Sequence, residues 1–211
     1  MRLVATARLR DPVLHRLVDP ALADDLAEIE AATSGRLLAE ARREGALFSG
    51  GRPHANLVNA AFAYFRPREP NRFNGPGLGA WYAALEVETA LAEVAHHLAR
   101  ELARVGDWRA TVEYAEMWAG FAGDFADLRG VSPRPACLDP DPAVGYPAGN
   151  ALAAEARAEG LNGVVWPSVR RAGGTCLVAL WPHIVQSVAQ GAVLRVRWSG
   201  SPKYAVEAVG G

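Results

Sequence analysis

The chain has 211 residues, half of them hydrophobic, which is enough to bury a sizeable core and short enough for a single domain. A net charge of −1 and a sequence pI of about 6.5 exclude a general electrostatic attraction to nucleic acid or an anionic membrane, so any basic site must be local. Two cysteines, Cys137 and Cys176, without CxxC or Cys/His spacing, fit a reduced cytoplasmic protein with no zinc centre.

At the N-terminus Arg8, Arg10 and Asp11 interrupt the apolar residues, so neither a secretory signal nor a membrane anchor is expected. Residues 13–32 carry Val13, Leu14, Leu17, Val18, Leu22, Leu26 and Ile29 at mostly three- and four-residue steps, an amphipathic helix interrupted at Pro20, and 37–43 repeat the pattern. These helices make residues 1–50 an N-terminal extension packed on a core domain of residues 51–211. FSGGRP (48–53) reads as loop and 57–65 as a partly buried strand. Residues 66–79 hold three prolines, three glycines and three arginines and form a long irregular loop.

Trp81–Leu85 is a short apolar strand, and Val87–Val105 a helix with Leu91, Val94, Ala95, Leu98, Leu102 and Val105 on one stripe. Arg109–Trp118 reads as a strand with one wetter face, and 119–146 as connection with at most a short helix near 125–128. Ala148–Glu159 is a helix closed by Gly160 in the place of a left-handed cap. Strands at Gly163–Trp166, Thr175–Trp181 and, last, Ala192–Trp198 follow, with PSVRRAGG as a turn. Residues 172–194 lack formal charge, but Pro182, His183, Gln186, Gln190 and Gly191 make strand, turn, strand a better reading than a membrane span. Six short strands and three or four helices in mixed order predict an α+β fold: a single domain with a mixed, mainly antiparallel sheet flanked by helices.

Four clusters carry residue types suited to chemistry. Arg72, in a glycine-rich loop, offers a planar fork of donors that fits a phosphate or pyrophosphate; the bland alternative is a solvated loop arginine. GPGLG has neither the spacing nor the strand–helix context of a Rossmann loop. Trp81 and Tyr82 point to opposite faces of their strand, so one ring is core and the other could stack on a planar ring, the bland alternative being that both are structural. Glu93 lies roughly opposite the apolar stripe of its helix, taking about 100° per residue, which makes a solvated glutamate the default. Its own face, however, carries Ala90 and His97, a small-residue strip that could accept a ligand or a sheet edge, and periodicity leaves both readings open. A carboxylate there could stabilise positive charge developing on a ribose. Glu93-x-x-His96 has no second copy and HExxH is absent, so no metal is expected. In WPSVRRAGG (166–174), Ser168 at a strand end, with Arg170 and Arg171 beside it, suits a phosphate or ribose contact or simply an ordinary capped turn.

Taken together, NRFNGPGLGAWYAA, ETALAEVAHH and GVVWPSVRRAGGTCLVALW resemble, over residues 57–188, the RES domain family, named for an arginine, a glutamate and a serine and typical of bacterial RES–Xre toxin–antitoxin pairs. The family's residues fall on Arg72, Tyr82, Glu93 and Ser168. The resemblance implies a fold similar to ADP-ribosyltransferase toxins and a cytoplasmic toxin of a type II toxin–antitoxin system that cleaves the nicotinamide–ribose bond. NAD+ is then the substrate, with no recycled cofactor and no metal. Arg72 would clamp the pyrophosphate, Tyr82 orient the nicotinamide end, Glu93 stabilise the ribosyl cation and Ser168 hold the nucleotide, with Arg66, Arg170 and His97 in support. ADP-ribose would pass to phosphate or water; the alternatives are modification of a host protein of nucleotide metabolism, or a non-catalytic nucleotide-binding module. The implied partner is an Xre-type helix-turn-helix antitoxin that blocks the active site, forms a hetero-oligomer with the toxin and supplies its only link to DNA.

Overall fold

The computed structural model describes residues 1–6, 9, 54–63, 70–75 and 78–210. The helices expected over 13–32 and 37–43, and with them most of the N-terminal extension, lie outside the described residues, as does the candidate Arg66.

The fold is α+β, built on two four-stranded sheets where the sequence suggested one. The first sheet orders its strands β1 (Arg2–Ala5), β3 (Arg109–Phe121), β7 (Val185–Ser199) and β8 (Tyr204–Val209), all antiparallel. The second orders them β2 (Trp81–Ala84), β6 (Thr175–Ala179), β5 (Gly163–Pro167) and β4 (Phe125–Asp127), antiparallel except for the parallel pair β4–β5. Three helices, α1 (Ala55–Ala63), α2 (Val87–Val105) and α3 (Pro142–Ala158), pack around them among the described residues. None of these helices is long and apolar enough to cross a membrane.

Strand alternation explains the layering. In β2 and β6 the side chains of Trp81, Ala83, Leu177 and Ala179 join Met117 of the first sheet and Val58 and Phe62 of α1 in one apolar cluster. Their neighbours Cys176 and Val178, with Val164 and Trp166 of β5, point the other way, into a second cluster closed by Ala153 and Ala156 of α3 and by Phe73. Trp81 and Phe73 are fully buried; each such side chain contributes on the order of 1.5–3 kcal/mol through burial. Helix α2 lays Leu91, Ala95, Leu98 and Leu102 against Val196 and Trp198 of the first sheet. Val105, expected on that stripe, is 74% exposed, because the helix ends there: Gly106, at φ 77°, donates its N–H to Leu102 O.

Four expectations need correction. The strand expected over 57–65 is not found among the described residues: 55–63 are helical, and Val58 and Phe62, four residues apart, share the buried face. A short apolar run fits either period, and alternation alone does not separate them. The short helix near 125–128 is strand β4, whose three residues are too few to show a period. Helix α3 begins at Pro142, not Ala148: Asp141 accepts from Ala143 N at 2.9 Å and Pro142 opens the helix, so Pro147 lies inside it rather than marking its start. The last strand is longer than 192–198, running from Val185 to Ser199, and β8 follows it. Arg195 bridges to Glu113 at 2.7 Å and to Glu207 at 2.8 Å across three adjacent strands, a cross-strand pattern invisible to hydrophobic alternation.

Candidate active site

Residues 71–74 form a tight loop, fixed on every side. Asn71 N donates to Asn74 O (2.9 Å), Asn74 Nδ2 to Leu78 O (2.8 Å) and Asn150 Nδ2 of α3 to Asn71 O (2.8 Å). Phe73 drives into the core against Trp166, with ring centroids 4.6 Å apart. Tyr82 clamps the loop from β2: its hydroxyl donates to Asn74 Oδ1 (2.8 Å) and accepts from Phe73 N (2.9 Å). Burial raises the Tyr82 phenol well above its ordinary value, which keeps it a hydrogen-bond donor.

Arg72 is not a solvated loop arginine; it is 7% exposed. Its Nη1 donates to the carbonyl oxygens of Cys137 and Asp139 (2.8 Å to the latter), and its guanidinium lies 5.5 Å from the centre of the Tyr146 ring. Helix α3 lies close against it. A Cβ on Gly149 would fall 2.0 Å from Arg72 O and one on Gly145 would fall 2.5 Å from Nη1, so both positions need glycine for space, not for conformation. Burial pushes the guanidinium below its ordinary value, Arg170 acts in the same direction, and Tyr146 and Glu93 oppose them. Neither Nε nor Nη2 meets an acceptor among the described residues, and Arg72 lines a cleft of about 230 Å³.

Helix α2 lines the same cleft with Ala90, Glu93, Val94 and His97. The helical wheel made Glu93 a solvated residue by default; it is instead half-buried, its Oε1 accepting from Ser168 Oγ at 2.9 Å. Ser168 stands at the end of β5, and its oxygen also accepts from Arg170 N and Arg171 N, both at 3.1 Å. With both acceptor positions filled by backbone amides, the hydroxyl hydrogen has one direction left, toward Glu93. Arg170 lines the cleft and donates through Nη2 to Pro140 O (3.1 Å). Arg171 turns away to Thr89 Oγ1 (3.3 Å), where Glu86 ties the start of α2 to the start of β6 by accepting from Thr89 Oγ1 (2.6 Å) and Thr175 N (3.0 Å).

One cleft thus gathers Arg72, Tyr82, Glu93, His97 and Arg170, with Ser168 behind Glu93 rather than on the cleft surface. The family model of the RES domain matches residues 51–199. The chain belongs to the RES domain family. No curated protein matches it. Membership in the RES family is consistent with a toxin of a toxin–antitoxin pair that acts on NAD+.

Sequence reasoning did not single out Tyr146, Trp166, Cys176 or the first three residues, which also line the RES-domain cleft. Trp166 and Cys176 were within reach, because alternation along β5 and β6 puts them on the Tyr82 side of the sheet. Met1–Leu3 reach the site through contacts far apart in sequence: β1 pairs with β3, and Met1 donates its amino group to Ala84 O (2.6 Å) while its carbonyl accepts from Ala84 N (2.7 Å). Among the described residues no group of three or more His, Cys, Asp and Glu side chains could hold a metal ion.

His96, half-buried on α2, has its pKa lowered from 6.5 to about 4 by burial and then by Arg170, His97 and Arg100. Between those values the unfolded chain takes up a proton that the folded one refuses, so stability falls as pH drops through this window. The melting midpoint of His96→Gln should fall less steeply than that of wild type over the same range. Equal slopes would remove His96 as a source of acid sensitivity.

Proposed function

We propose that this RES domain is the toxin of a type II toxin–antitoxin system and consumes NAD+, cleaving the nicotinamide–ribose bond and transferring ADP-ribose to a small acceptor, phosphate or water. The observation that carries this reading is the convergence, in a single cleft, of a buried arginine with free donors and a half-buried carboxylate with a free oxygen.

Arg72 holds Nη1 on two carbonyls and keeps Nε–H and Nη2–H for an anion, and Arg170 adds a second cation on the same cleft; together they suit a diphosphate. The electron pair of the C–N bond departs with neutral nicotinamide, leaving positive charge on the ribose that the Glu93 carboxylate stabilises. The acceptor oxygen then bonds to the ribose carbon and gives its proton to solvent or phosphate. Orientation and charge complementarity supply the rate, so the chemistry requires no metal or recycled cofactor. Tyr82, with its hydroxyl committed to Asn74 and Phe73 N, contributes its ring to the cleft and holds the Arg72 loop in place. His97 stands exposed on the same wall as Glu93, where it can meet the acceptor. Family membership supports pairing with a helix-turn-helix antitoxin that blocks this cleft and carries the only contact to DNA.

The test is incubation of purified protein with NAD+, with and without phosphate and with and without cell lysate, following nicotinamide and ADP-ribose. Phosphate-dependent or hydrolytic release of nicotinamide is expected. Label transferred to a lysate protein would identify a protein acceptor instead, and saturable binding without product would reduce the domain to a nucleotide-binding module.

A further inference from the structure

Glu93 Oε1 has a second donor besides Ser168. Cys176 Sγ lies 3.6 Å from the same oxygen, within reach of a thiol hydrogen bond. Cys176 occupies the middle of the second sheet, paired with Ala84 on one side and Trp166 on the other, so ladders on both flanks fix its backbone. It is 2% exposed, yet it belongs to the floor of the cleft. Burial, with Glu93 adding to it, raises the thiol well above its ordinary value, so Cys176 remains S–H and acts as a donor, not a nucleophile. Oε2 of Glu93 meets no donor among the described residues.

The geometry points to Cys176 as a positioning residue, which together with Ser168 saturates one oxygen of Glu93, locks the carboxylate rotamer and reserves the other oxygen for the reacting ribose. The inference rests on the NAD+-cleaving reading above. It explains why a thiol is placed at a buried sheet position where an aliphatic side chain would pack as well: the strand supplies a rigid donor from one side and the 168–171 turn supplies one from the other. Two donors on a single oxygen define the plane of the carboxylate, whereas one leaves rotation about the final side-chain torsion.

Three variants test it: Cys176→Ala, Cys176→Val, which fills the site with a somewhat larger apolar side chain and no donor, and Cys176→Ser, which keeps a donor. The assay is steady-state nicotinamide release from NAD+, with thermal melting to verify folding. Loss of positioning lowers kcat by about 10- to 100-fold in the Ala and Val variants with KM nearly unchanged, and Ser recovers most of the loss. Wild-type kcat in both Ala and Val overturns the inference, as does a Ser variant no faster than Val, since volume or packing would then explain the effect. A wild-type protein that releases no nicotinamide overturns instead the reading on which this one rests.

Discussion

Glu93→Gln is expected to reduce nicotinamide release from NAD+ by about 10²- to 10³-fold, the scale of losing one preorganised charge-stabilising group. The substitution is nearly isosteric, and its amide oxygen can still accept from Ser168 Oγ and Cys176 Sγ, so the α2–β5–β6 junction stays intact. What disappears is the negative charge facing the cleft. The melting midpoint should therefore stay close to wild type while kcat collapses and KM moves little, the pattern of an interaction made mainly in the transition state. Turnover at the wild-type rate would show that the carboxylate does not meet the developing charge. A fall in melting temperature matching the loss of activity would make Glu93 a structural tie alone.

Substitution of Arg72 separates two roles that one side chain combines. Arg72→Lys retains a cation but loses the fork, so it cannot keep one nitrogen on the carbonyls of Cys137 and Asp139 while offering others to an anion. Losing one charge-assisted hydrogen bond, worth about 1.5–3 kcal/mol, predicts a fall in kcat/KM of roughly 10- to 100-fold. Arg72→Ala additionally strands buried carbonyl acceptors. An unsatisfied group costs about 1–3 kcal/mol, and a loss near 2 kcal/mol lowers the melting midpoint of a domain this size by roughly 4–8 °C. Nicotinamide release and thermal denaturation of both variants provide the check. Full activity in Arg72→Lys would mean that the fork has no part in holding substrate, and an unshifted midpoint in Arg72→Ala would mean that the two carbonyls find water in its absence.

Both predictions depend on burial that sequence periodicity judged wrongly. Arg72 reads from its glycine-rich surroundings as either an anion-binding fork or a solvated loop arginine; Glu93 reads as solvated by default, because a helical wheel ranks positions only against the helix's own apolar stripe. The chain has a second surface to place against α2, the 168–171 turn, and the wheel has no access to it. Likewise 66–79 reads as an irregular loop by its glycines and prolines, yet Phe73 anchors its centre in the core and Tyr82 holds it by a hydroxyl from the adjacent strand.

The amino-acid sequence by itself determined the α+β class, the span of α2, the core strands β2, β5 and β6, and, through the order of three motifs, membership of the RES domain family. These are properties of local pattern: apolar spacing, turn residues and motif order survive without knowledge of partners. Only the tertiary structure decided that two sheets form rather than one, that 55–63 is helical, that Arg72 is buried beneath the glycines of α3, and that Ser168 and Cys176 meet on one oxygen of Glu93. The last two depend on contacts between residues 65 to 83 positions apart, whose geometry is set by packing and strand register, and no window along the chain contains both members of such a pair.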